Sequence, residues 1–583
     1  MEKNWIKLRV KTNKCLRTVS LVFFTIVIWI TIETIFDFSC IHRLRLHDIL
    51  PDNQIPYNDP LIEYEPCTMI PHAPKGTIWP EEEFRHDTEP DSILELADPL
   101  KSKAWIEGRT VAIVGDTVTV RVVLYNGYGQ RKQQGGDLIR VWMKEPSLGA
   151  SSTGHVIDNK NGSYSAILTA FWEGKPEIVI AIISPREVIS TAFKRRYWCP
   201  PVLMNTAIFT HPVVTSVVEE TPCNYVSQVP GYKELCNFTQ ENYGRPWFCG
   251  KPRHQRLMCQ DWTMVADVNL WQRGEEKRLL SNIEYDLMTL NYTARKLDSK
   301  LILTVTTGKS NQSVLVPLAK CADVTKESSW ETISPTGYFY RRRWTNKICR
   351  TTFNLTNKSS RATFNLTKTE TCLRNTSLIL IGDSTLRQIF SELESLVSCN
   401  WITDHWSTSG KHRPAICVNR SQNFSLTWEL HPLPFCTRNT PRHYFKSFGA
   451  YLNELQSHSR TIIVLHMYAH VLNHHSSVFF ETLKDMKKGI IGLLDRNKNA
   501  HVIIKGPNAY SFSKSTDHVI WMPDAYSRIY QAFIINEFKD VKDRVIYLDT
   551  MDMTVSSEQW HIHVENYVVQ AYIEQILNRI CTF

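Results

Sequence analysis

Three things are scarce or missing in this 583-residue chain. It has no unbroken apolar run of the ~20 residues that a comfortable membrane span wants; the uncharged stretch from Thr18 to Ile32 is cut by Glu33 before TIF resumes. It also lacks a broad excess of one charge. The net charge is +9, but residues 1–17 alone carry Lys3, Lys7, Arg9, Lys11, Lys14 and Arg17 against Glu2. The rest is too nearly balanced for the basic footprint of a nucleic-acid binder. Finally, Cys223, Cys236, Cys249 and Cys259 are spaced by 12, 12 and 9 residues with no C-x2-C pair. That spacing argues against zinc and leaves a disulfide-stapled loop as the expectation.

What is present points to the secretory pathway. A basic flank, residues 1–17, precedes the apolar segment 18–36, and bulky Trp29 and Phe36 stand where a signal-peptidase site would want small residues. The expectation is an uncleaved signal-anchor with a cytoplasmic N-terminus, a type II topology, with a cleaved signal as the alternative. Ten N-x-S/T sequons follow, at Asn161, Asn237, Asn291, Asn311, Asn354, Asn357, Asn365, Asn375, Asn419 and Asn423. Each alone is weak; together they fit a glycosylated lumenal surface. Of the fifteen cysteines, the thirteen beyond Cys15 and Cys40 would face an oxidising compartment and mostly pair, and the odd total leaves a thiol free or intermolecular.

The chain reads as several units. After the tail and anchor, Pro-rich and acidic residues 37–85 look like a stem. Residues 86–220 hold alternating segments, RTVAIVGDTVTVRVVLYN, DNKNGSYSAILTAFWEG and PEIVIAIIS, which predict an antiparallel β-sandwich. Residues 221–330 are a Cys-rich connector. From 331 to 583 strand and helix patterns alternate, predicting an α/β domain with a parallel sheet. In such sheets sites gather at strand carboxyl ends, here GDS (382–384), HMYAH (466–470), KGPN (505–508) and DTMD (549–552) leading to HIH (561–563).

LILIGDSTLRQIF, residues 378–390, raises the sharpest question. Ser384 is either a helix cap or a nucleophile at a sheet edge. A nucleophilic serine needs a base, and His563, between the last strand and last helix, is placed to be one. Helix amides near Gly382 and Asp383 could steady an oxyanion.

The motifs DNKNGSYSA, FWEGKPEI, CNFTQENYGRPWFCGKP, PTGYFYRRRW, IGDSTLRQIF and DTMDMT together resemble the NXPE family, whose name joins neurexophilin and PC-esterase. The resemblance covers most of the chain beyond the stem. It implies an immunoglobulin-like neurexophilin module followed by an SGNH-hydrolase-like esterase module. It implies Ser384 as nucleophile and His563, or else neighbouring His561, as base. The acid stays open among Asp549, Asp552 and Glu558, because Trp560 stands three residues before His563 where such enzymes place Asp. A G-x-N-D oxyanion block is also missing; IIVLHMYAH with Tyr468 occupies its place, and His470 matches a family histidine. Arg387 is either an anion holder or a packing residue. The four histidines 466, 470, 474 and 475 invite a metal, but the family implies none.

The expected activity is lumenal acyl transfer or ester hydrolysis on glycans, with sialic acid a candidate acceptor, no resident cofactor, and acetyl-CoA a candidate acyl donor. The competing expectation is an inactive membrane-anchored glycoprotein that binds a protein ligand through its sandwich. Golgi membrane is the expected location, with secretion or the cell surface as alternatives, and no nucleic-acid partner.

Overall fold

In RTVAIVGDTVTVRVVLYN the turn chemistry acts as the pattern predicts: the Asp116 carboxylate accepts the Ile113 amide at 2.8 Å and Gly115 takes φ 104°. Strands Val111–Ile113 and Thr117–Val123 flank it. A computed structural model describes residue 73 and residues 77–581, apart from 74–76, 197–202, 270–279, 290–294, 309–318, 332–333, 354, 356–368, 404–412, 436–438, 457–458, 510–524 and 560. All described residues fall within the unit Leu61–Phe583. The expected anchor, 18–36, lies outside the described residues, as do the tail and most of the stem. Among the described residues no helix is long and apolar enough to cross a membrane.

The chain is multidomain and rich in β-sheet. One four-stranded antiparallel sheet runs in the order Lys103–Ile106, Thr117–Val123, Ser163–Thr169, His155–Asp158. Its Val118, Val120, Val122, Tyr164, Ala166 and Leu168 share one core with Ile139, Val141, Met143, Ile178, Ile180 and Ile182 of a second sheet. That second sheet is built on Leu138–Glu145 and Glu177–Ser184. It also takes in Arg295–Lys296, Leu301–Ile302 and the hairpin Gly337–Tyr340/Arg343–Asn346. The hairpin joins through Phe339 opposite Ser151, although local pattern puts it with the segment beyond 331. The unbroken run EIVIAIIS is also explained: Val179, Ala181 and Ile183 are buried on the far face, against Ala509, Met551 and Val555.

The cysteine-rich segment forms a six-stranded antiparallel sheet together with Leu203–Thr210, from the range read as sandwich, and Thr440–Pro441, from the C-terminal part. Cys223–Cys249 and Cys236–Cys259 staple it, so these four cysteines form disulfides. Cys321–Cys349, Cys372–Cys581 and Cys399–Cys417 make five disulfides among the described residues.

The C-terminal sheet runs Asn400–Trp401, Ala415–Asn419, Phe424–Glu429, Thr376–Gly382, Arg460–His466, Ala500–Lys505, Ile546–Leu548. The last five strands are mutually parallel. Helices Ser384–Leu396 and Asn566–Ile580 pack on each other, as do Ser476–Arg496 and Tyr526–Phe538. At the far N-terminal side, Glu81 is fully buried and accepts the Ser476 amide and hydroxyl, both at 2.8 Å, at the start of helix Ser476–Arg496. A carboxylate there meets free amides and the positive end of the helix dipole.

Candidate active site

Strand Thr376–Gly382 delivers its chain to the sheet edge, and Gly382 makes the turn possible. Its φ is +155°, and a Cβ there would sit 2.1 Å from the His466 carbonyl oxygen. Asp383 then caps the helix: its Oδ1 accepts the Thr385 amide at 2.9 Å and the Thr385 hydroxyl at 2.7 Å. The capping role therefore falls to Asp383 and leaves the hydroxyl of Ser384, the first helical residue, free for another partner. Ser384 Oγ lies 2.6 Å from His563 Nε2.

His563 sits on a loop held from two sides. Asn508 Nδ2 donates to the Ile562 carbonyl at 3.0 Å. Gln388 grips Val564 twice, donating from Nε2 to its carbonyl at 3.1 Å and accepting its amide on Oε1 at 3.2 Å. Gln388 stands four residues after Ser384, one helical turn along the same face, so the helix that carries the hydroxyl also holds the histidine loop. His561 Nδ1 accepts the His563 amide at 3.1 Å, and His563 rather than His561 reaches Ser384. Sequence reading passed over Gln388 and Asn508; the i, i+4 spacing in STLRQ and the Asn of KGPN are the signals that point to them.

Electrostatics favour a neutral imidazole. Burial, with the nearby positive groups of His561 and Arg387, pushes the His563 pKa well below the usual histidine value, against the pull of Asp383. His563 is thus unprotonated at neutral pH and able to accept a proton. Burial alone would raise the Asp383 pKa, but His466 and His470, then the Thr385 hydrogen bond and Lys505, lower it on balance. His466 Nδ1 lies 2.9 Å from the Lys505 carbonyl and its Nε2 3.5 Å from Asp383 Oδ2. Burial, helped by the Lys505 ammonium, holds His466 down at about 4. Lys505, fully buried and brought to about 7 by desolvation, donates to Asn508 Oδ1 at 2.9 Å. Asn508 thereby links the interior to the histidine loop.

The acid candidates go elsewhere. Asp549 accepts Gln531 Nε2 at 3.1 Å and the Met551 amide at 3.0 Å. Asp552 accepts the Thr336 amide at 2.8 Å and the Ser334 hydroxyl at 3.2 Å. Neither is hydrogen-bonded to His563. Glu558 turns towards Lys144, Lys296 and Trp142 of the sandwich. Arg387 is buried with its guanidinium 5.7 Å from the Trp428 ring centre, and the His470 ring lies 4.6 Å from that of His431.

The four close histidines diverge. His466 faces Asp383 and His470 faces His431; His474 lies between Tyr225 and Phe435, and His475 is beside Glu81. Among the described residues no group of three or more His, Cys, Asp or Glu is arranged to hold a metal. Of the sequon asparagines, Asn161, Asn237, Asn375 and Asn423 are exposed and Asn419 is half-buried; Asn291, Asn311, Asn354, Asn357 and Asn365 lie outside the described residues.

Two family models match the chain. The model described as neurexophilin covers residues 105–272, and that described as NXPE family member 4-like, C-terminal domain, covers residues 344–581. The first spans most of the sandwich and the cysteine-stapled sheet, and the second spans the parallel sheet with Ser384 and His563. The two matches, in this order along one polypeptide, place it as a member of the NXPE family.

Proposed function

We propose that this chain is a membrane-anchored lumenal enzyme that transfers or removes acyl groups on glycans. The supporting observation is the 2.6 Å approach of Ser384 Oγ to a neutral His563 Nε2 at the carboxyl edge of a parallel sheet. In this reading the sandwich is immunoglobulin-like and the C-terminal domain SGNH-hydrolase-like. Ser384 Oγ attacks the acyl carbonyl while its proton passes to His563 Nε2. The leaving group departs with that proton. A sugar hydroxyl, or water, then gives a proton to His563 as it attacks the acyl-serine, and Ser384 leaves carrying the proton back. In this reading the Ser384 amide, at the first helical position, donates to the developing oxyanion. Sialic acid is the proposed acceptor and acetyl-CoA the proposed donor. The site is proposed to face the Golgi lumen from a type II anchor at 18–36.

Reaction of the protein with a fluorophosphonate tests this. Labelling of wild type, with none in Ser384→Ala and little in His563→Ala, is the expected result. A folded wild type that resists both the probe and an acyl donor would overturn it.

A second reading has its own support. Trp105, Ile157 and Ile167 are 45%, 41% and 36% exposed on the outer face of the four-stranded sheet, a surface suited to a protein ligand. A binding screen with the full chain, comparing wild type with Trp105→Ala, tests it.

A further inference from the structure

The sandwich and the histidine loop meet at one carboxylate. Strand Leu138–Glu145 points Ile139, Val141 and Met143 into the sandwich core. Trp142 and Lys144, two residues apart, face the other way. Trp142 is fully buried there among Met551, Val555 and Ala509. Helix Met551–Ser556 thus lies against the back of the sandwich sheet, and the chain leaves that helix through Glu558. Glu558 Oε1 receives Lys144 Nζ at 2.8 Å, Lys296 Nζ at 2.9 Å and Trp142 Nε1 at 3.0 Å. All three donors belong to the sandwich sheet or its edge strand Arg295–Lys296. The Lys296 ammonium also lies 5.5 Å from the Trp142 ring centre.

Glu558 is not a relaxed residue. Its φ is +52°, the left-handed region that side chains other than glycine avoid. Something must hold it there, and the three donors do. Burial alone would raise its pKa; the hydrogen bonds from Lys144 and Lys296 outweigh that and lower it, so it is ionised at neutral pH. The loop to His563 begins at the next residue. Gln559 Oε1 accepts the Glu565 amide at 2.8 Å, closing the loop on itself. The loop is therefore pinned at its start by the sandwich and at its end by Gln388 on the serine's helix, with His563 between.

We propose that the β-sandwich is a positioning element of the site: Lys144, Lys296 and Trp142, through Glu558, set the loop that brings His563 to Ser384. Glu558 and its lysines are positioning residues and touch no substrate. The catalytic consequence rests on the Ser384–His563 reading; the mechanical tie does not. The two matched modules then act as one unit, and a ligand that drew Lys144 or Lys296 away would loosen the base.

The test uses the full-length protein with Lys144 and Lys296 both changed to Met, beside the double arginine variant and Glu558→Gly. Arginine keeps the charge, and glycine suits the left-handed backbone while removing the carboxylate. Two readouts are taken: hydrogen–deuterium exchange over 557–566, and the rate and pH profile of fluorophosphonate labelling at Ser384. The expected result is faster exchange over 557–566 in the methionine variant and in Glu558→Gly, unchanged exchange in the parallel strands, and restoration by arginine. Labelling should slow roughly 10- to 100-fold, the order expected when a base is displaced by about an ångström. Unchanged exchange over 557–566 in the methionine variant overturns the tie, whatever the labelling does. A wild type that does not label, with loop exchange that still responds, upholds the tie and fails the catalytic reading alone.

Discussion

Strand Thr117–Val123 of the sandwich buries every second residue, whereas strand Arg460–His466 of the parallel sheet is buried at every position but the first. The first has one wet face, so half its side chains are free to vary or to meet a partner. The second is closed on both faces, and its side chains are committed to packing. Chemistry in the parallel sheet is therefore confined to where strands stop. Gly382 with Asp383 and Ser384, His466, and Lys505 with Asn508 all stand at such ends. Polar groups in the interior of that sheet would need partners that its packed faces do not supply.

The comparison breaks most sharply if chemistry is found on the sandwich. Ser384→Ala should abolish fluorophosphonate labelling and His563→Ala should slow it by roughly 10²–10⁴-fold, the range of a lost general base. Trp105→Ala should label at the wild-type rate, and loss of labelling there would undo the division of labour.

The next effect is on stability. Cys372–Cys581 closes a loop of sequence separation 209, against 18 for Cys399–Cys417. By chain entropy, the paired serine variants should lose about 5 and about 3 kcal/mol respectively, read as urea midpoints. Packing gives the third contrast. Leu380 is fully buried in the parallel sheet, and Leu380→Ala should cost about 3 kcal/mol, while exposed Ile167→Ala in the sandwich should cost about 0.5 kcal/mol. Similar losses at the two sites would mean that the outer sandwich face is covered in solution.

The smallest effect separates structure from catalysis at an acid. Burial and the charge of Asp552 raise the Asp549 pKa above its ordinary value of 3.8. A carboxyl raised on folding contributes most below that ordinary value, and its contribution is lost as pH rises through the folded value. Asp549→Asn should therefore leave stability unchanged in acid and raise it at mildly alkaline pH, with labelling unaffected. Loss of labelling instead would return Asp549 to the role of orienting acid.

Much of the site was legible because its signals are local. IGDST marks a strand, a tight turn and a helix start, and HIH marks the loop before the last helix. Asp383 rather than Ser384 takes the cap, which is a matter of two adjacent side chains that no periodicity resolves. Glu558 stood among the acid candidates, yet its partners are Lys144 and Lys296, far off in sequence. Asp549 and Asp552 sit in an acidic motif at a strand end, but hydrogen-bond to Gln531, Met551, Ser334 and Thr336. The return of Leu301–Ile302 and the hairpin Gly337–Asn346 to the sandwich sheet was likewise invisible, because pairing between distant segments leaves no mark on either one's alternation.

The buried seat of Glu81 bears on where the chain could be cut and still hold together. A protease cutting before Trp79 would leave the Glu81–Ser476 contact intact. A cut just after Glu83 would carry that carboxylate away, leaving the first amide of a 21-residue helix without its acceptor and Arg196 without a buried counter-charge 3.6 Å away. Two cleavages a few residues apart would thus yield fragments of different durability.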